Sequence, residues 1–183
     1  RPGETVVDPM CGSGTFVLEA ADRTAGLLPG RVRDFAFEKL ASFDAEAWGE
    51  MRRFDPVEGA LMGYGSDRDQ GAVQRATANA ERAGLQSLCR FRTAPVSEAA
   101  PPGDTPGLLI VNPPYGARIG NKKLLYGLYA ALGETIRRRF SGWRVGLITS
   151  EAGLARATGL DFAPPGPFVD HGGVKIRLYQ TEQ

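Results

Sequence analysis

The sequence predicts a doubly wound α/β fold around a mostly parallel sheet, and three observations carry that prediction. Short apolar, β-branched runs such as Leu108-Leu109-Ile110-Val111 recur along the chain, as expected of strands buried on both faces. Stretches with apolar residues at helical spacing lie between them. Two of the strands end abruptly in turn residues, Pro9-Met10-Cys11-Gly12-Ser13-Gly14 and Asn112-Pro113-Pro114-Tyr115. Those ends are where open α/β sheets bind ligands.

Taken in order, residues 5–8 read as a first strand and residues 9–14 as a glycine-containing turn. A helix over 15–23 follows, with Phe16, Val17, Ala20 and Ala21 on its apolar face. Residues 26–33 are loop-like. Residues 43–54 read as a helix capped by Asp44, with Trp48 and Met51 on one face, which makes the first crossover unusually long. Residues 60–66 form a second strand, Asp69 caps a helix running to Ala83, and Gly84 suits the position after its end. A weaker third strand spans 88–93, and residues 95–107, with four prolines, form a surface loop. The fourth strand is 108–111.

Residues 122–140 carry Leu125, Leu128, Leu132 and Ile136 at helical spacing. Residues 143–149 form a fifth strand, 151–157 a short helix and 159–167 a proline-rich connection. Over 174–180, Val174, Ile176 and Leu178 alternate with polar residues, the mark of a last strand. Six strands are thus legible, and the last two are expected to close the sheet as an antiparallel edge hairpin.

A length of 183 residues fits one domain, and 42% hydrophobic with 23% charged residues is an ordinary soluble composition. Lys plus Arg number 22 against 21 Asp plus Glu, a net charge of +1. Nucleic-acid contact must therefore come from local clusters or from another domain. Two cysteines without paired spacing exclude a disulfide scaffold and a cysteine-rich zinc site, and no metal-ligand spacing occurs. No run has the length of a membrane span and no signal-peptide pattern is present, so a cytoplasmic location is expected. The opening Arg1-Pro2-Gly3, just ahead of a strand and without an initiator Met, leads us to expect a catalytic domain cut from a longer protein.

The Asn112–Tyr115 turn holds an amide and an aromatic ring on a stiff strand end, because neither proline can donate a ladder hydrogen bond. Its carbonyls can accept from an amino group and its ring can lie against a flat ring. The turn at Asp8 lacks a Gly-Lys-Ser/Thr ending and the Gly-x-Gly-x-x-Gly pattern. Its acid would repel a pyrophosphate but suits the ammonium of an amino-acid ligand. Its glycines let backbone approach a ligand at a helix N-terminus. Asp67, ending the second strand, is placed to accept both hydroxyls of a ribose, while Asp69 is better read as a helix cap.

Three blocks, Asp8-Pro9-Met10-Cys11-Gly12-Ser13-Gly14-Thr15 with its continuation to Ala21, Tyr64-Gly65-Ser66-Asp67, and Asn112-Pro113-Pro114-Tyr115-Gly116, together resemble the class I S-adenosylmethionine-dependent methyltransferases. More narrowly they resemble the THUMP-associated bacterial RNA methylases of the large-subunit ribosomal RNA guanine-N2 type. Gln74-Arg75-Ala76, Asn79-Ala80 and Lys175-Ile176-Arg177-Leu178-Tyr179 extend the likeness along nearly the whole chain. The resemblance implies a seven-stranded, Rossmann-like sheet and S-adenosylmethionine as cofactor. It implies cofactor contacts from Asp8, Met10, Cys11, Gly12, Gly14, Thr15, Asp67, Arg68 and Asn112. Asn112 and the Pro113 carbonyl would accept from the target amine, and Tyr115 would stack on a flipped base, worth about 1–3 kcal/mol. The substrate implied is large-subunit ribosomal RNA, with an upstream THUMP-like domain supplying affinity. The family's acid after the third strand, which meets the adenine amine, has no counterpart here near Ala94-Pro95.

Adenine-N6 and protein-glutamine methylation use the same kind of turn, and a non-catalytic cofactor-binding or RNA-interaction module is the alternative of a different class. Cys11 sits in the cofactor turn and reads as a packing residue rather than a nucleophile. His171, the only histidine, has no evident triad partner. Arg137-Arg138-Arg139 reads as a solvated helix end. Arg118, Lys122 and Lys123, just past Tyr115, are better placed to meet RNA phosphate.

Overall fold

A computed structural model describes residues 3–31, 33–52, 62–115 and 122–182. The elements are β1 (Val6–Asp8), α1 (Thr15–Thr24), α2 (Ala45–Met51), β2 (Gly63–Asp67), α3 (Gln70–Ala83), β3 (Cys89–Thr93), β4 (Leu108–Val111), α4 (Lys122–Arg139), β5 (Arg144–Thr149), α5 (Ala152–Ala157), β6 (Val169–His171) and β7 (Val174–Gln180). They form one seven-stranded sheet in the order β3-β2-β1-β4-β5-β7-β6. The first five strands are parallel, and β7 runs antiparallel to both β5 and β6. The doubly wound sheet with an antiparallel edge is therefore present.

Helices cover the two faces in complementary halves. Val17 and Ala21 of α1 and Ala80 of α3 pack with Leu85 and Cys89 over the β1–β3 half. On the other face Leu109, Val111, Val145 and Leu147 meet Leu125, Tyr129, Leu132 and Ile136 of α4 and Leu154 of α5. This second cluster is the main core. Each large apolar side chain taken fully out of water there contributes roughly 1.5–3 kcal/mol. The strand order reverses between β1 and β4, so their C-terminal ends open a crevice, and both singled-out turns begin there.

Several local readings are corrected. In α4 the buried stripe runs through Leu125, Tyr129, Leu132 and Ile136, while Leu128 is half-buried at the crevice. Both sets fit a helical repeat, and the position of α4 over β4 and β5 sets the phase. Helix α2 is shorter than expected, with Asp44 accepting from the backbone N–H groups of Glu46 and Ala47. Trp48 packs edge-on against Phe35 and Phe37 at 5.7 and 4.9 Å, but Met51 is 73% exposed. Residues 53 and 54 of that reading, and 60 and 61 of the second strand, lie outside the described residues. The 95–107 loop holds a single 3-10 turn, Val96–Glu98, between the buried Ala94 and Ala99.

Strand β6 escaped the strand-by-strand reading because it is three exposed residues with no core face to register a period. Its signal was the pair Gly172-Gly173. Both adopt positive φ, 59° and 81°, as a two-residue hairpin turn of the twist-matched type requires. Asp170 fastens the turn by accepting from the Gly173 N–H at 3.0 Å.

One contact fixes how closely α4 approaches the segment after α5. A methyl group on Gly133 would overlap the Thr158 carbonyl, and Thr158 is itself buried. Gly133→Ala is expected to lower stability by about 3 kcal/mol, because backbone rather than a side chain must move. Thermal and denaturant unfolding would measure it; an unchanged midpoint would show that the helix pair does not rely on this close approach.

Candidate functional site

The crevice between β1 and β4 holds a cleft of about 400 Å³ lined by Pro9, Met10, Asp67, Arg68, Asp69, Pro95, Val96, Asn112, Pro114 and Leu128. Loops from the ends of four strands, β1 to β4, thus meet at one place, and those of β1, β2 and β4 are held by identifiable bonds.

The glycine turn is tied to its neighbours through backbone. Cys11 N–H donates to the Ser66 carbonyl at 2.9 Å, and Gly14 N–H to the Cys11 carbonyl at 2.8 Å. Gly12 and Gly14 hold φ of 53° and 89°, a region side chains rarely adopt. At Gly14 a Cβ would also press within 3.1 Å of Ala76 and the Phe91 ring, so the turn rests directly on α3 and β3. Asn79 of α3 completes the mooring by donating to the Ser13 carbonyl at 2.9 Å. That gives Asn79 a structural role which its place in a helix pattern did not disclose.

Asp67 joins the glycine turn to the second loop. One carboxylate oxygen accepts the Gly12 N–H at 3.0 Å and the other accepts the Asp69 N–H at 2.9 Å. Asp69 in turn caps α3 by accepting from Gly71 N–H at 2.9 Å, as its position implied. Two oxygens carrying one bond each keep lone pairs free toward the cleft.

Asp8 lies beneath this junction, 3% exposed, and accepts the Met10 N–H at 3.0 Å. Burial pushes its carboxyl up from 3.8 to about 7; the Met10 N–H opposes the rise and the nearby Asp67 charge adds to it. Burial also pushes the Cys11 thiol up to about 12, with the charges of Asp8 and Asp67 adding to the effect. A thiol so held stays protonated and is no nucleophile at neutral pH.

The third loop is the proline turn. Val111 and Pro113 are buried, Asn112 is exposed at the cleft, and Tyr115 is half-buried against the main core. The Asn112 amide makes no hydrogen bond to another described residue, so its oxygen is available. Tyr129 of α4, fully buried, places its hydroxyl 3.3 Å from both the Pro114 carbonyl and the Thr149 hydroxyl. It donates to the carbonyl and can accept from Thr149. Burial pushes its phenol up to about 12, which keeps that donor proton in place.

Of the residues singled out from sequence, Met10, Asp67, Arg68 and Asn112 line the cleft together. Gly12, Gly14, Pro113 and Tyr115 are not among its lining residues, Cys11 and Asp8 are buried, and Thr15 is exposed at the start of α1. Lys122 and Lys123 are exposed in the first turn of α4 and do not line it. Arg118 lies outside the described residues. Val96, Leu128 and Pro9 were missed as lining residues. Val96 stood in a presumed surface loop and Leu128 in a presumed core stripe, so neither carried a signal pointing to a site.

Comparison with known proteins adds three likenesses and a family model. The model UPF0020, an RMKL-like methyltransferase domain, matches residues 1–162. A ribosomal RNA large subunit methyltransferase K/L from Chromohalobacter salexigens is 41% identical over 171 residues, covering 87% of this chain and 23% of that protein. The chain thus spans about a quarter of the length of that relative. A crystal structure of a possible methylase from Clostridium difficile 630 superposes with a TM-score of 0.89 at 32% identity, over 98% of this chain and 48% of that one. A putative methyltransferase solved in complex with SAH superposes with a TM-score of 0.85 at 30% identity, over 98% and 48% of the two chains.

The Asp8 carboxyl makes stability depend on pH in a stated direction. Its folded value is raised, so its contribution is complete below the unfolded value near 4 and is lost as pH climbs through about 7. Asp8→Asn, which stays neutral, is expected to match the native protein in thermal stability at pH 4. It should exceed native stability by up to about 4 kcal/mol at pH 8, the equivalent of the rise of about three units. Melting curves across pH 4–8 would test this; a difference that does not change with pH would contradict it.

Proposed function

The chain belongs to the family of RMKL-like methyltransferase domains, and on that premise we propose that it transfers a methyl group from S-adenosylmethionine to the N2 amino group of a guanine in large-subunit ribosomal RNA. The observation that carries this reading is the meeting of the Asp67 loop, the glycine turn and Asn112 on a single cleft.

The residues present fit the cofactor. Asp67 has acceptor capacity left for two ribose hydroxyls after satisfying Gly12 and Asp69. Gly12 and Gly14 leave backbone open to the methionine part, and Asp8 supplies a carboxylate near its ammonium. Pro95 and Val96 give an apolar wall against which a purine ring can lie. With no carboxylate at Ala94 or Pro95, directly after β3, the adenine edge is left to backbone groups such as those around Pro95. The SAH complex of the structural relative agrees with this choice of ligand.

When bound, S-adenosylmethionine supplies a methyl group already activated by a sulfonium, so the protein needs no nucleophile. That accords with the protonated Cys11 thiol. The guanine amine is a weak nucleophile because its lone pair is conjugated with the ring. The Asn112 amide oxygen and the Pro113 carbonyl accept its two N–H groups and stabilise positive charge as it develops on nitrogen. They also fix the nitrogen's orientation, which supplies much of the rate. Tyr115 stacks on the base after it leaves its helix and offsets part of the unstacking cost. Tyr129 holds the turn through the Pro114 carbonyl, so the acceptor pair keeps its geometry.

RNA affinity is assigned to an additional THUMP-like domain in the longer protein, because the net charge of +1 gives this chain little general attraction for phosphate. Lys122, Lys123 and Arg118 would add local contacts beside the site. The reaction belongs to the cytoplasm, where ribosomal RNA is accessible.

Two substitutions separate binding from chemistry. Asn112→Ala is expected to retain S-adenosylmethionine affinity by calorimetry while turnover on unmethylated ribosomal RNA falls about 100-fold or more. Turnover at the native level would sink the mechanism, and a product of N6-methyladenine would sink the choice of base. Tyr129→Phe, which removes one hydrogen bond to the turn, is expected to lower kcat about tenfold with KM and cofactor affinity little changed. A rise in KM alone would place Tyr129 in substrate binding instead.

A further inference from the structure

A second cavity, of about 480 Å³, lies between α5 and the edge strand β7, away from the cleft just described. Its cationic lining residues are Arg156 of α5 and Arg177 of β7; Asp161 is its one carboxylate, and it is exposed. The rest of the wall is apolar, chiefly Leu160, Phe162, Pro164 and Pro165.

Arg177 is an unusual lining residue. Its Nε is buried and has no hydrogen-bond acceptor. The residue as a whole is half-buried, so its terminal nitrogens reach solvent while Nε does not. The guanidinium carbon lies 3.7 Å from the centre of the Phe168 ring, a cation–π contact that helps hold the side chain in place. On the backbone, Arg177 is registered directly opposite Thr149 of β5. Thr149 is the residue whose hydroxyl meets Tyr129, which in turn holds the proline turn. Arg177 is therefore one strand away from the residues that support the Asn112–Tyr115 turn.

We propose that this cavity is a binding subsite for a nucleotide phosphate of the RNA substrate, with Arg177 and Arg156 as its ligands and the Phe162–Pro165 wall receiving the sugar or base beside it. The proposal rests on the RNA-methylating reading above. The solvent-facing terminal N–H groups of Arg177 can donate to phosphate oxygens, and a guanidinium fork suits a tetrahedral oxyanion better than a point charge does. The apolar wall is unnecessary for a free inorganic anion but serves a nucleotide. Two cations on one cavity would also give a near-neutral domain a local grip on the strand that bears the target base.

The test is spectroscopic and independent of methyl transfer. The Arg177 Nε–H resonance of the 183-residue protein, identified with Arg177→Gln, would be followed during titration with inorganic phosphate and, separately, with a short single-stranded oligoribonucleotide. We expect it to shift with both, and to respond at lower concentration to the oligoribonucleotide. Arg177→Gln should weaken oligoribonucleotide binding about tenfold or more, the loss expected of a charge-assisted hydrogen bond. Arg156→Gln, on an exposed helix position where folding is not at risk, should weaken it in the same direction while S-adenosylmethionine affinity stays unchanged. No shift with either probe would overturn the proposal, as would a response to inorganic phosphate alone. Oligoribonucleotide binding at Arg177 without methylation of guanine would leave the subsite standing and remove the assigned activity instead.

Discussion

Asp67 is the residue on which the site's assembly depends. It stands at the C-terminal end of β2, between two loops that have no other side-chain link to each other among the described residues. One oxygen takes the Gly12 N–H and the other the Asp69 N–H. The first bond closes the glycine turn onto β2, and the second sets Asp69 where it can cap α3. Both are bonds from backbone N–H to an ionisable group, the stronger kind. An acid used this way is already oriented before any ligand arrives, so on the proposed reading a ribose would meet a fixed acceptor rather than one that must be ordered on binding.

Asp8 behaves oppositely. It is buried, close to the Asp67 charge, and carries a raised pKa of about 7. Two carboxylates a strand apart, one bonded into the backbone and one desolvated, create local negative potential that a cationic ligand relieves. A stability cost in the ligand-free protein is thereby placed at the point where a sulfonium and an ammonium would be received. Functional sites commonly hold this kind of tension. Burial, with the same charges adding to it, holds the Cys11 thiol protonated, so the turn offers no nucleophile.

The reactive turn depends on a different set of forces. Pro113 and Pro114 end β4 because they cannot continue its ladder, but that alone does not aim the Asn112 amide. The aim comes from the main core. Pro113 is buried, Tyr115 packs on the core, and the Tyr129 hydroxyl reaches the Pro114 carbonyl from α4. The tie continues through Thr149 of β5 to its cross-strand neighbour Arg177. The sheet thus carries both the Asn112–Tyr115 turn and Arg177 in one frame.

The sequence by itself determined the fold class, because strand and helix periods and strand-end turns are local properties of the chain. It also singled out three short blocks, Asp8–Gly14, Asp67 and Asn112–Tyr115, by residue type and spacing alone, and Met10, Asp67, Arg68 and Asn112 do share a cleft. Strand β6 was missed because three exposed residues have no buried face, although Gly172-Gly173 marked its hairpin. The choice of Tyr129 over Leu128 for the core of α4 lay beyond sequence reasoning, since both fit a helical repeat and only the packing on β4 and β5 selects between them. Tertiary structure alone decided that Val96 and Leu128 reach the cleft, that Asn79 moors the glycine turn, and that the Nε of Arg177 is buried without an acceptor. Each of those facts is a contact or a vacancy between segments far apart in the chain, and no local pattern encodes which distant residue will be there.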